Sequence, residues 1–244
     1  MDEWFKTPLG RYLIEHEQAY FDQVVADIFG FNALQVGFAQ FDLLRTSRMQ
    51  MRFAAAQELP ASGGAAVQLL SDPRGLPLAS QSVDLLLLPH VLEFNAHPHQ
   101  ILREAERVLM PEGQVIISGF NPFSLWGLPR IRPRARQEYP WSGNFISLLR
   151  IKDWLALLGF EVEAGKMCCY VPPLRSAKWL RRCGFMEPAG DRWWALAGGV
   201  YFLQARKRVA GMHLIMPKWN KSIAANKALS PVPQKMIHKV NGEQ

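Results

Sequence analysis

Cysteine is scarce: the 244-residue chain has three, Cys168, Cys169 and Cys183. An odd number with no C-x-x-C spacing excludes a disulfide framework and a zinc knuckle, and it fits a reducing cytoplasm, where the protein is expected to reside. Long apolar runs are also missing. The longest, "VDLLLLPHVL" and "WWALAGGVYFL", fall well short of the roughly 18 residues that span a bilayer. The opening "MDEWFKTPLG" carries two acids and lacks the apolar core of a signal peptide, so a soluble protein is expected. Net charge is small over most of the chain. The net charge is +7, yet seven Lys/Arg against the single acid Glu243 place +6 of it between Lys207 and Gln244. The body is therefore nearly neutral, and attraction to nucleic acid or an anionic membrane surface is an expectation for the tail alone.

About half the residues are hydrophobic, enough for one sizeable core. The division expected is a main domain over residues 1–209 and a basic, flexible tail over 210–244. From Leu9 to Phe29 apolar residues recur at spacings of three and four, which predicts an amphipathic helix ending at Gly30. "ALQVGF", "MQMRFAAA", "AAVQLL" and the continuous run "VDLLLL" predict four strands, the last buried on both faces. A helix over Pro98 to Leu109 follows, then "PEG" as a sharp turn and "QVIISGF" as a fifth strand. Residues 121–145 are rich in Pro, Gly and Arg and predict an insertion rather than core. A helix over Ile146 to Leu158, a strand "FEVEAGKMCCYV", a helix over Leu174 to Cys183 and a last strand "GVYFLQARKR" complete an alternating α/β pattern with a mainly parallel sheet.

Ligands of such sheets bind beyond the carboxyl ends of the strands, where the strand order reverses. Gly37, Asp72, His90 and Phe120 fall at strand ends and are the first candidates. The block "SDPRGLPLASQSVDLLLLPHVLEFNAHPHQILREAERVLMPEGQVIISGFNP" resembles the central motifs of class I S-adenosylmethionine-dependent methyltransferases of the type-11 family. The acid at a strand end, the Leu-Pro turn "GLPL", the Ser-x-Asp strand and the helix "ILREAERVLMPEG" occur in the family's order. The resemblance implies a Rossmann-like methyltransferase fold, with a mainly parallel seven-stranded sheet and helices on both faces. S-adenosylmethionine is the implied cofactor and a bacterial enzyme the implied setting.

Carried over position by position, Asp72 accepts a hydrogen bond from the adenine amino group, with Pro73 and Leu76 of the following turn beside the cofactor. Asp72 before Pro73 is equally a turn-forming pair. Pro89 and His90, ending the fourth strand, line the cofactor and substrate pocket, His90 being the candidate catalytic residue; a histidine merely satisfied at a strand end is the alternative. His97, His99 and Glu93 lie near His90 in sequence, but no second ligand cluster appears, and no metal is expected. Asp84 matches an acid whose role in the family is mainly structural.

The family's cofactor loop is an acid on the first strand followed by Gly-x-Gly-x-Gly. Here those positions are Gln35, Gly37, Ala39 and Phe41. Gln35 exchanges a charged hydrogen bond for a neutral one, a loss of about 1 kcal/mol or roughly fivefold to tenfold in affinity. Ala39 adds one methyl, and Phe41 places a ring where the backbone closes against strand and ligand. The acid for the ribose hydroxyls is missing from the second strand, Glu58 being the nearest substitute. The expected activity is methyl transfer to an unidentified acceptor, an anionic one if the arginines of "RIRPRAR" project together from an extended lid. The alternative is an inactive binding module of the same fold, with Phe41, Trp126 and Trp141 filling the vacated pocket.

Overall fold

The computed structural model describes residues 2–58 and 67–208. A short helix α1 (Asp2–Phe5) precedes α2 (Pro8–Ala26), which begins where the Thr7 side chain accepts from the Gly10 N–H. Seven strands follow: β1 (Asn32–Val36), β2 (Met51–Ala56), β3 (Val67–Leu70), β4 (Val83–Pro89), β5 (Leu109–Phe120), β6 (Phe160–Cys168) and β7 (Val200–Lys207). Helix α3 (Pro98–Val108) joins β4 to β5, α4 (Leu148–Leu157) joins β5 to β6, and α5 (Ala177–Arg182) and α6 (Met186–Trp193) join β6 to β7.

The strands form one sheet in the order β3-β2-β1-β4-β5-β7-β6. β1 to β5 pair in parallel, and β7 alone runs antiparallel, between β5 and β6. Successive side chains of a strand point to opposite faces, and the core divides accordingly. Leu85, Leu87, Ile116 and Phe202 pack with α1 and α2, whereas Leu86, Leu88, Val115, Ile117 and Leu203 pack with α3 and α4. This is the helix-covered, mainly parallel sheet expected from the sequence.

Three differences bear on the site. The connections over residues 37–50 and 71–82 contain no helix, so β3 is only half covered and Met51 and Leu70 are exposed. "PEG" does not end an element: β5 runs through it, pairing Val83 with Leu109 and then Leu85 with Gln114, with Glu112 at φ 64° in the resulting bulge. Helix α6 was not foreseen, because Pro188 and Gly190 lie inside it. Gly190 is there for space, since a Cβ would sit 2.3 Å from the Tyr170 ring.

Asp84 is a structural tie, as expected. Its Oδ2 accepts from the Phe31 and Asn32 N–H groups at 3.0 and 2.9 Å, fastening the chain entering β1 to β4 at the end of the sheet opposite the site.

Candidate functional site

The strand order reverses between β1 and β4, so the crevice favoured for ligands opens beyond Val36 and Pro89. Gly37 turns the chain there at φ 78°, a value open to glycine, and a Cβ on it would lie 2.9 Å from Val91 Cγ2. Phe38 follows at φ 52°.

Gln35 is fully buried beneath this turn. Its Nε2 donates to the carbonyls of Gly37, Phe38 and Phe41 at 3.1, 3.1 and 2.9 Å, and its Oε1 accepts from the Leu43 N–H at 3.0 Å. Two amide hydrogens thus serve three carbonyls, so the side chain has no donor left for a ligand. A carboxylate could not hold this loop, because it has no hydrogen to donate. The amide at position 35 is thus an internal staple of its own loop. Phe41 faces the core, its ring 5.1 Å from that of Phe5, and Ala39 is buried.

At the end of β4, His90 sits at φ 53° and is buried together with Glu17 and Glu93. Its Nδ1 bonds Glu93 and its Nε2 bonds Glu17 of α2. The Glu93 carboxylate also accepts from the Phe120 N–H, at 3.1 Å to Oε2. Phe38 and Phe120 pack against the imidazole at ring distances of 5.2 and 4.2 Å. Burial opposes a charge on His90, but the two carboxylates outweigh it and raise its pKa to about 10. His90 is therefore a cation at neutral pH with both nitrogens donating. It has no lone pair to accept a proton, and the candidate catalytic residue is placed as the hub of an ion cluster. Glu17 Oε2 and the Tyr139 hydroxyl are buried without a partner. Burial, then the charges of Glu93 and Glu17, push the Tyr139 phenol well up.

Asp72 lies just past β3 and is partly exposed. It accepts from the Arg74 backbone N–H and from its Nε, each at 2.9 Å, and the guanidinium holds its pKa down to about 2. Such an open pair adds little stability; it keeps an ionised carboxylate at the strand end. Pro73 is buried beside it. Leu76 turns away into the core against α3, its N–H bound to Glu104 Oε1 at 2.7 Å. The Pro89 carbonyl faces Gly37, 3.9 Å from where its Cβ would be. Glu58 is exposed two residues past β2.

The remaining candidates separate. His97 starts α3, and His99 packs on Trp154 at 3.9 Å. Among the described residues no group of three or more His, Cys, Asp or Glu side chains could hold a metal ion. The arginines of residues 130–136 are not on an extended lid. Two 3-10 turns, Leu128–Ile131 and Ala135–Gln137, carry Arg130 and Arg136, with Arg132 and Arg134 between them; Arg130 folds over the Phe145 ring at 4.6 Å, and Arg132, Arg134 and Arg136 are exposed. Trp126 and Trp141 are buried, their indole N–H groups bonded to the carbonyls of Val171 and Trp126 at 2.9 and 2.8 Å. A cleft of about 220 Å³ between α2, β6 and α6, lined by Tyr20, Lys166, Glu187 and Asp191 among others, lies toward the far edge of the sheet from Gly37 and Asp72.

The group implied by the sequence resemblance meets two different surroundings. At its adenosine end the residues fit: an ionised acceptor at Asp72, a sharp turn at Gly37 and an exposed acid at Glu58. At its methionine end they do not. Gln35 is spent on the loop, no helix N-terminus follows β1 to face a carboxylate, and Phe38, Phe41 and Phe5 fill the adjoining space.

Glu17 was not singled out from sequence, although a signal exists. It is a charged residue in the apolar stripe of Leu13, Tyr20 and Phe21 on α2, and all four are buried.

The comparisons point one way. Residues 33–117 match the profile of the methyltransferase domain family. An uncharacterized Escherichia coli protein, YafS, is 35% identical over 161 residues, 66% of this chain and 65% of that protein. The chain thus spans just under two thirds of that relative's length. The fold is shared with S-adenosylmethionine-dependent methyltransferases of Thermotoga maritima (TM-score 0.61, 18% identity, covering 85% of this chain and 94% of that one) and Mesorhizobium loti (TM-score 0.55, 14% identity, 77% and 96%). Domain and architecture agree: residues 33–117 are similar to the methyltransferase domain family, and the chain has the fold of S-adenosylmethionine-dependent methyltransferases.

Proposed function

We propose that the protein transfers a methyl group from S-adenosylmethionine to an acceptor of unassigned identity, holding the cofactor chiefly by its adenosine end. The observation that carries this reading is the pairing of a left-handed turn at Gly37, where β1 borders the point of reversal, with an ionised, reachable Asp72 past the end of β3, two strands away at the same end of the sheet. Gly37, Asp72, Pro73 and Pro89 are the cofactor-lining residues. Gln35 and Ala39 shape the loop from beneath, Leu76 supports it from the core, and His90 is a positioning residue. Residues 1–209 are the methyltransferase-like unit, the basic segment expected over 210–244 lies outside the described residues, and three free cysteines fit a cytoplasmic setting.

A second reading, a methyltransferase-like module that no longer turns over, is favoured by the stapled Gln35 and by the aromatic packing of Phe5, Phe38 and Phe41. Thermal unfolding with S-adenosylmethionine and S-adenosylhomocysteine separates the two. A ligand at a hundred times its Kd stabilises the folded state by about 2.7 kcal/mol, so melting temperature is expected to rise with either compound. An unchanged melting temperature at millimolar ligand would leave the second reading standing.

A further inference from the structure

Segments 121–138 and 174–197 both lie at the carboxyl end of the β5, β6 and β7 half of the sheet, because β5 and β6 end there and β7 begins there. They are tied together. Asn121 Nδ2 donates to the Leu196 and Gly198 carbonyls at 2.9 and 3.0 Å, and Arg175 pairs with Glu138 at 3.0 Å.

This cap exposes what a folded protein ordinarily hides. Phe123, Ile131, Trp193 and Leu196 are between 73 and 80% exposed, Phe185 is 70% exposed, and Trp194 is 59% exposed. Scattered exposed apolar residues are ordinary, but a concentration of large ones marks an interaction surface. The same two segments hold nine Arg/Lys against three acids, Glu138, Glu187 and Asp191. Cations lie on the exposed rings themselves, Arg182 over Trp179 at 5.4 Å and Arg192 over Trp193 at 5.9 Å.

We propose that this cap is a membrane-facing surface that seats the protein on an anionic bilayer through Phe123, Ile131, Trp193, Trp194 and Leu196, with the surrounding arginines at the lipid phosphates. Aromatic side chains partition to the headgroup boundary, and each cation near an anionic surface adds attraction that salt screens. Single-stranded nucleic acid would use the arginines and the indoles, but Ile131 and Leu196 offer bases nothing to stack on. A protein partner must be acidic to match nine cations offset by only three acids, whereas an anionic bilayer supplies apolar depth and negative charge together. No helix among the described residues is long and apolar enough to cross a membrane, so the contact is peripheral. It would set the candidate site, at the same end of the sheet, beside the lipid.

The test uses the full chain and sedimentation with vesicles of phosphatidylcholine alone or mixed with phosphatidylglycerol. Binding is expected only to the mixed vesicles, weakening as salt is raised, with a blue shift of tryptophan emission. Trp193→Ser combined with Trp194→Ser, and separately Arg132→Gln, Arg134→Gln and Arg136→Gln together, are each expected to weaken binding by at least about tenfold. Exposed positions should leave the melting temperature unchanged. Residues 210–244 are untouched in both variants, so vesicle binding that survives both sets of changes overturns the proposal in favour of the tail. Failure of the unaltered protein to bind mixed vesicles also overturns it, as does Trp193-dependent binding of single-stranded RNA without vesicle binding.

Discussion

His90→Gln is expected to lower the melting temperature by roughly 6 to 20 °C. Glutamine preserves a donor but not the positive charge, so Glu17 and Glu93, both buried, face each other uncompensated. Removing one partner of a buried ion cluster costs about 3–5 kcal/mol, and in a domain of this size each kcal/mol moves the transition by about 2–4 °C. Adding Glu17→Gln and Glu93→Gln should recover part of the loss, because the uncompensated charges then disappear, and such non-additivity is the signature of a cluster. The linkage has a definite sign. His90 is raised from its ordinary 6.5 to about 10, so its contribution is complete below pH 6.5 and is lost as pH rises toward 10. Stability of the native protein should therefore fall across that alkaline window, and the His90→Gln variant should lack this component. A melting temperature within a few degrees of the native value, with the same pH profile, would show that the cluster does not hold α2 to the end of β4.

Gln35→Glu restores the residue type that the family carries and is nevertheless expected to destabilise the protein, by about 3 kcal/mol or more. The new carboxylate would sit about 3 Å from the carbonyls of Gly37, Phe38 and Phe41, which now receive hydrogen bonds from Nε2. Those bonds vanish and like partial charges meet in a buried setting. Protonation relieves this, so the variant should regain stability as pH falls, the same direction as the His90 contribution but added by a group the native protein lacks. Chemical denaturation of the variant at several pH values measures both effects. Native stability combined with tighter adenosylhomocysteine binding would mean instead that position 35 faces the ligand.

Much of the scaffold was legible because period-two and period-three-to-four patterns report burial directly. The run Val83 to Leu88 suits a strand buried on both faces, and Asp84, whose counterpart in the resembled family is mainly structural, ties Phe31 and Asn32. Order and spacing place a turn after β1, and the structure has one at Gly37, but what that turn does could not be read from residue identity. Gln35 looks like a weakened ligand contact in sequence; only the fold brings four backbone groups around it. Likewise Glu17 and His90 are 73 positions apart, and nothing local announces that α2 delivers a carboxylate to the end of β4. Helix α6 was hidden by Pro188 and Gly190, whose low helix propensity is overridden by packing against Tyr170.

Calorimetric titration of S-adenosylhomocysteine into the native protein and into Asp72→Ala tests most directly whether the cofactor is held from its adenosine end. Saturable one-site binding is expected for the native chain. At Asp72→Ala, which removes a charge-assisted acceptor from a partly exposed position, at least about tenfold weaker binding is expected at an unchanged melting temperature. Equal affinity in the two proteins, or no saturable heat with the native protein at millimolar ligand, would contradict it.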